Sequence, residues 1–100
     1  MIAPPGPPGP PAPGFPRVLV YAAAALRRLR KLPAEGADAL VSALEAYAAT
    51  GAGNVKRLVD VRPPRYRLRA GDFRAIVALT GSGTEAAVEV EWVGDRRDAY

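Results

Sequence analysis

Cysteine and histidine are both absent from this chain of 100 residues. No disulfide framework can form, and neither thiolate nor imidazole is available for a zinc site or for histidine acid–base catalysis. No metal and no cofactor is expected. Large aromatics are scarce as well, with one tryptophan and two phenylalanines. The apolar fraction of 49% looks generous, yet 20 of those residues are alanine, which buries little area. The core must therefore rest on a short set of Leu, Val, Ile, Phe, Tyr and Trp. No apolar run approaches the roughly 20 residues of a membrane span, and the N-terminus lacks a basic segment leading into an apolar one. The chain is accordingly read as soluble and cytoplasmic. Acidic residues are the minority charge: the formal charge is +4, which favours nucleic acid or an acidic protein as partner.

The organisation changes abruptly at residue 17. Residues 1–16, "MIAPPGPPGPPAPGFP", hold eight of the eleven prolines and no charge, so they can neither propagate a helix nor build a core. They are read as a disordered Pro/Gly-rich tail. Two PPG triplets are too few for a collagen helix, which needs a long strict repeat and three chains. Residues 17–100 are read as one domain. "RVLVY" is a short β-rich run, and "AAAALRRLRKL" follows with leucines on one helical face and Arg27, Arg28, Arg30 and Lys31 turned away from it. Pro33 ends that helix and opens a second over 34–50, in which Ala37, Leu40, Val41, Leu44 and Tyr47 recur at helical spacing before "TGAGN".

Strands fill the C-terminal half, at 65–70, 73–80 and 86–93, with Gly71-Asp72 and "TGSGTE" between them. The expected fold class is α+β: an N-terminal strand, then a helical hairpin packed on an antiparallel sheet with a C-terminal three-strand meander. One sheet face meets the helices, and the other is left polar and free for function.

A turn at Gly71-Asp72 pairs Arg69 with Arg74 and Arg67 with Ile76, which puts Arg67, Arg69 and Arg74 on one face. Tyr66, Leu68, Ala70, Phe73, Ala75 and Val77 then share the other. Like charges set directly opposite each other destabilise a hairpin by up to about 1 kcal/mol, so folding gains nothing from the arrangement and a polyanion would explain it. A solvated strand face, with arginine stems lying on apolar surface, is the plainer explanation. Arg96 and Arg97 follow the last strand and can reach the same face, with Tyr100 close behind. Guanidinium groups hold phosphate oxygens bidentately, and a tyrosine can stack on a base or exchange a proton.

"NVKRL" (54–58), "YRLRAGDFRAIVAL" (66–79) and "VGDRRDAY" (93–100), in that order after a helical hairpin, resemble the RelE/ParE superfamily of toxins from type II toxin-antitoxin systems. The resemblance covers residues 17–100. It implies a cognate antitoxin partner and, in the RelE branch, ribosome-dependent cleavage of messenger RNA that arrests translation. The ParE branch instead poisons DNA gyrase, and a degenerate, non-catalytic homologue is the further alternative. DNA contact is implied only at an operator, through the antitoxin complex. By motif position Arg74, Arg96 and Tyr100 are the implied catalytic residues, with Arg97 as alternative to Arg96. Arg67, Arg69, Arg97, Lys56 and Arg57 are implied to bind RNA. Two departures stand out. Arg67 and Arg69 occupy positions where some relatives carry lysines, and a guanidinium is a poor proton donor or acceptor. Asp95 stands where many relatives have a basic residue, and it is expected to add negative charge beside the phosphate site.

Overall fold

A computed structural model describes residues 10–98 of the chain. Alternation of apolar and charged residues produces the strands in the C-terminal half. The elements in chain order are β1 (Val18–Tyr21), α1 (Ala23–Leu29), α2 (Ala34–Thr50), β2 (Val55–Arg57), β3 (Tyr66–Ala70), β4 (Phe73–Thr80), a 3-10 turn (Gly83–Glu85) and β5 (Ala87–Asp95). They form one five-stranded sheet in the order β1-β5-β4-β3-β2. The α+β architecture, the helical pair and the three-strand meander are as the sequence predicts. Two details go beyond that reading. Strand β1 joins β5 in parallel, so the sheet is mixed, and "VKR" adds β2 antiparallel to β3 at the far edge.

The core lies between the helices and one sheet face. Ala25 of α1 and Leu40, Leu44, Tyr47 and Ala48 of α2 pack on Leu68, Ala75, Val77, Val88, Val90 and Val93. Burial pushes the Tyr47 hydroxyl to a higher pKa, as expected for a phenol whose charged form is desolvated. Gly36 has a packing reason: a Cβ there would overlap the ring of Phe73, so its absence lets α2 approach β4 closely. Helix α2 ends at Gly51, whose φ of 79° is left-handed and whose N–H donates to the Tyr47 carbonyl at 2.7 Å.

Helix α1 is shorter than its amphipathic pattern suggests. After Leu29 the N–H groups of Lys31 and Leu32 turn to the carbonyls of Arg28 and Leu29, a tightening that ends at Pro33. Arg28 also departs from the expected outward position. Strand β1 stops at Tyr21, leaving the second half of β5 without a neighbour on the side away from β4, and the Arg28 Nε donates to the Val93 carbonyl there at 2.6 Å. The guanidinium thus satisfies an open sheet edge.

Contacts with the domain begin ahead of the boundary expected at residue 17. Residues 1–9 of the expected tail lie outside the described residues, but packing already begins before Arg17. The Ala12 N–H donates to the Thr50 carbonyl at 2.8 Å, and the Phe15 ring meets Tyr47 edge-on at 5.2 Å between centroids. Arg17 then donates to the Thr80 carbonyl at 2.9 Å and closes the end of the β4–β5 hairpin.

Candidate functional site

Register decides which side chains share the face away from the helices. The β3–β4 hairpin pairs Arg69 with Arg74 and Arg67 with Ile76, as the Gly71-Asp72 turn predicts. Gly71 takes a φ of 60°, the left-handed conformation that such a turn needs. Strand β2 sets Lys56 opposite Arg67, and β5 sets Trp92 opposite Ile76 and Gly94 opposite Arg74. Two rows result. Lys56, Arg67, Ile76 and Trp92 cross the sheet in one, and Arg69, Arg74 and Gly94 lie in the next.

The second half of β5 reaches this face only through a bulge. Ile76 pairs with Trp92 but Val77 pairs with Val90, so Glu91 is an extra residue. Beyond it the phase of β5 inverts: Val93 turns into the core, and Trp92 and Gly94 turn outward. Glu91 is held by an ion pair with Arg65.

Two adjacent hollows occupy the basic part of the face. One of about 140 Å³ is lined by Asn54, Lys56, Arg67 and Arg69. The other, of about 170 Å³, is lined by Arg69, Gly71, Asp72, Phe73, Arg74 and Arg96. Arg69 stands between them and belongs to both. A roomier cavity of about 350 Å³ lies on residues 57–62, but no group of like charges converges there.

Cations in the two hollows differ in how far they are already committed. Lys56, Arg67 and Arg69 form no ion pair and no side-chain hydrogen bond with another described residue. Arg74 is a latch: its Nη2 donates to the Arg96 carbonyl, and to that of Asp98 at 3.3 Å. Its Nε is buried without a partner. Arg96 faces Asp72 across 3.8 Å with both side chains well exposed, an arrangement of little energetic weight. Arg97 is taken by Asp95, with Nη2 to Oδ2 at 2.8 Å. Hydrogen bonding to Arg97 holds the Asp95 carboxyl below its usual range and raises Arg97 in return.

Two sequence-based expectations change here. Asp95 pairs with Phe73, one position off the Arg74–Gly94 row, and so alternates to the helix side. Its carboxylate is set against Arg97 and off the Arg69–Arg74 row. Arg57 pairs with Tyr66 and is set on the opposite face from Lys56, so the site does not gather it. Tyr100 lies outside the described residues.

Signals the sequence reading missed are Asn54 and Trp92. The bulge hides Trp92, because simple alternation with Val88 and Val90 sends it into the core.

Solved structures supply the comparison. A chain of the RelBE2 toxin-antitoxin complex from Mycobacterium tuberculosis superposes with a TM-score of 0.69 at 24% identity, covering 83% of this chain and 94% of that one. A chain of the archaeal RelE-RelB complex from Pyrococcus horikoshii OT3 gives 0.65 at 16% identity, covering 85% of this chain and all of the other. The fold is that of the RelE toxins. No family model and no curated protein matches the sequence. Among the described residues of this RelE fold, no helix is long and apolar enough to cross a membrane.

Proposed function

We propose that this protein is a RelE-type toxin, a ribosome-dependent endoribonuclease that cuts messenger RNA, acts in the cytoplasm and is neutralised by a cognate antitoxin. One observation carries the reading: Lys56, Arg67 and Arg69 stand unpaired on the free face of a RelE fold. Three neighbouring cations without carboxylates are costly to hold together, and a polyanion offsets that cost.

The reaction is attack of a ribose 2′-oxygen on the adjacent phosphorus. The hydroxyl proton passes to a base, the 5′-oxygen departs with a proton from an acid, and a 2′,3′-cyclic phosphate remains. Arg69, between the two hollows, suits the non-bridging oxygens on which charge builds, with Arg67 and Lys56 on the flanking backbone. Arg74 holds the turn that carries Arg96, whose guanidinium borders the same hollow as Arg69 with Asp72 as its partner. No histidine is available for proton transfer, and the resemblance to RelE toxins assigns the step to Tyr100, with further groups supplied by the ribosome. The antitoxin follows from the same charge: an acidic segment that folds on binding masks the cations.

Mapping 5′ ends of a reporter message in a cell-free bacterial translation reaction tests this. Cleavage inside translated codons should need ribosomes and disappear with Arg69→Ala, whose exposed side chain contributes nothing to the core. An intact message with the parent protein refutes the nuclease and leaves gyrase inhibition or a degenerate toxin.

A further inference from the structure

The outer face ends in a residue that phosphate chemistry does not use, the chain's single tryptophan. We infer that Trp92 is a stacking site for a nucleobase of the RNA bound at Lys56 and Arg67, an inference that rests on the nucleic-acid reading above.

The row running across the strands is ordered by chemistry. Lys56 and Arg67 come first, buried Ile76 makes an aliphatic floor, and partly exposed Trp92 closes it. Two strand spacings, about 10 Å, separate Arg67 from Trp92, within the reach of one nucleotide. Local packing keeps the indole on this face. Gly94 carries no side chain because a Cβ there would lie 2.6 Å from Trp92 Cη2 and 2.7 Å from Asp98 Oδ2. The Arg28 guanidinium sits 4.8 Å from the ring centroid and 3.3 Å from the Asp98 carboxylate. The cation over the indole holds the ring in place, and a base stacks on the part of it that solvent reaches.

Charge gives the row a direction. Asp98 places a carboxylate beside the indole, which repels phosphate there, whereas the Lys56–Arg67 end has no carboxylate partner. Phosphate therefore belongs at the β2–β3 end and the base at the β5 end. Stacking on an aromatic ring tolerates any base, so Trp92 contributes affinity and position more than sequence choice.

Because Trp92 is the only tryptophan, its emission reports this spot alone. The full-length protein is titrated at low salt with a short ribo-oligonucleotide, and with an abasic ribose-phosphate oligomer of equal length. Binding is followed independently by the anisotropy of a labelled copy of each. Quenching of Trp92 by the RNA, with the midpoint of the anisotropy curve, and none by the abasic oligomer is the expected result. Trp92→Ala should weaken RNA binding about ten-fold, and Trp92→Phe, which keeps a ring, should restore most of it. RNA binding that depends on Arg67 and Arg69 but leaves the emission unchanged overturns the stacking and spares the nucleic-acid reading. Absence of RNA binding by anisotropy overturns both. The quenching is read on the unaltered chain, so a variant that fails to fold does not blunt the test.

Discussion

At the β2–β3 end of the outer face exposed Lys56 and Arg69 and half-buried Arg67 have no carboxylate partner, while toward the end of β5 Arg28, Arg96 and Arg97 each face an aspartate. Both regions count as basic in the sequence. Only the first has cations that a ligand can engage without displacing a carboxylate, whereas the second spends its guanidinium groups on shaping a turn. Asp95 accepts from the Arg97 N–H at 2.7 Å, Asp98 Oδ2 accepts from the Asp95 N–H at 2.9 Å, and Arg74 ties the turn to β4. A run of arginines is thus a measure of charge, not of available charge.

The largest expected break in this contrast comes from removing the open cations. Arg67→Ala combined with Arg69→Ala should weaken RNA binding at least ten-fold and flatten its salt dependence by about two counterions, since each phosphate that a cation neutralises releases roughly one. Arg96→Ala combined with Arg97→Ala should cost less than about three-fold, since both are already paired. Equal losses from the two double variants would erase the distinction.

A smaller effect separates latch from ligand. Arg74→Ala should destabilise the fold by about 1 kcal/mol through its lost carbonyl partners, with faster amide exchange around residues 95–98. Arg74→Lys should recover part of both. Unchanged exchange in the alanine variant would mean that Arg74 is spare for substrate after all.

The smallest effect is a matter of pH. Asp95 titrates below its ordinary value of 3.8 in the folded chain, first because of its hydrogen bond to the Arg97 side chain. A depressed folded-state pKa adds stability above the unfolded value, and that increment is lost as pH falls through the lowered one. Thermal unfolding of Asp95→Asn should accordingly lie slightly below the parent at neutral pH and merge with it in strong acid. A gap that persists in acid would place the cause elsewhere.

Much of this molecule is legible before any coordinates. The 3.6-residue recurrence of Leu40, Leu44 and Tyr47, the stop at Pro33 and the Gly71-Asp72 turn specify a helical pair and a hairpin, because local backbone chemistry leaves few other choices. The same turn fixed the shared face of Arg67, Arg69 and Arg74, since a strand has period two and the register then follows. Three matters lay beyond that reach, and each depends on contacts between distant residues. The parallel pairing of β1 with β5 joins positions almost seventy residues apart. Which arginines are spent depends on Asp72, Asp95 and Asp98: Arg97 takes the aspartate two residues before it, whereas the Arg28–Asp98 and Arg96–Asp72 pairs join distant parts of the chain. The β5 bulge at Glu91 inverts the alternation that precedes it, so the tryptophan that periodicity would bury is turned outward beside the cations.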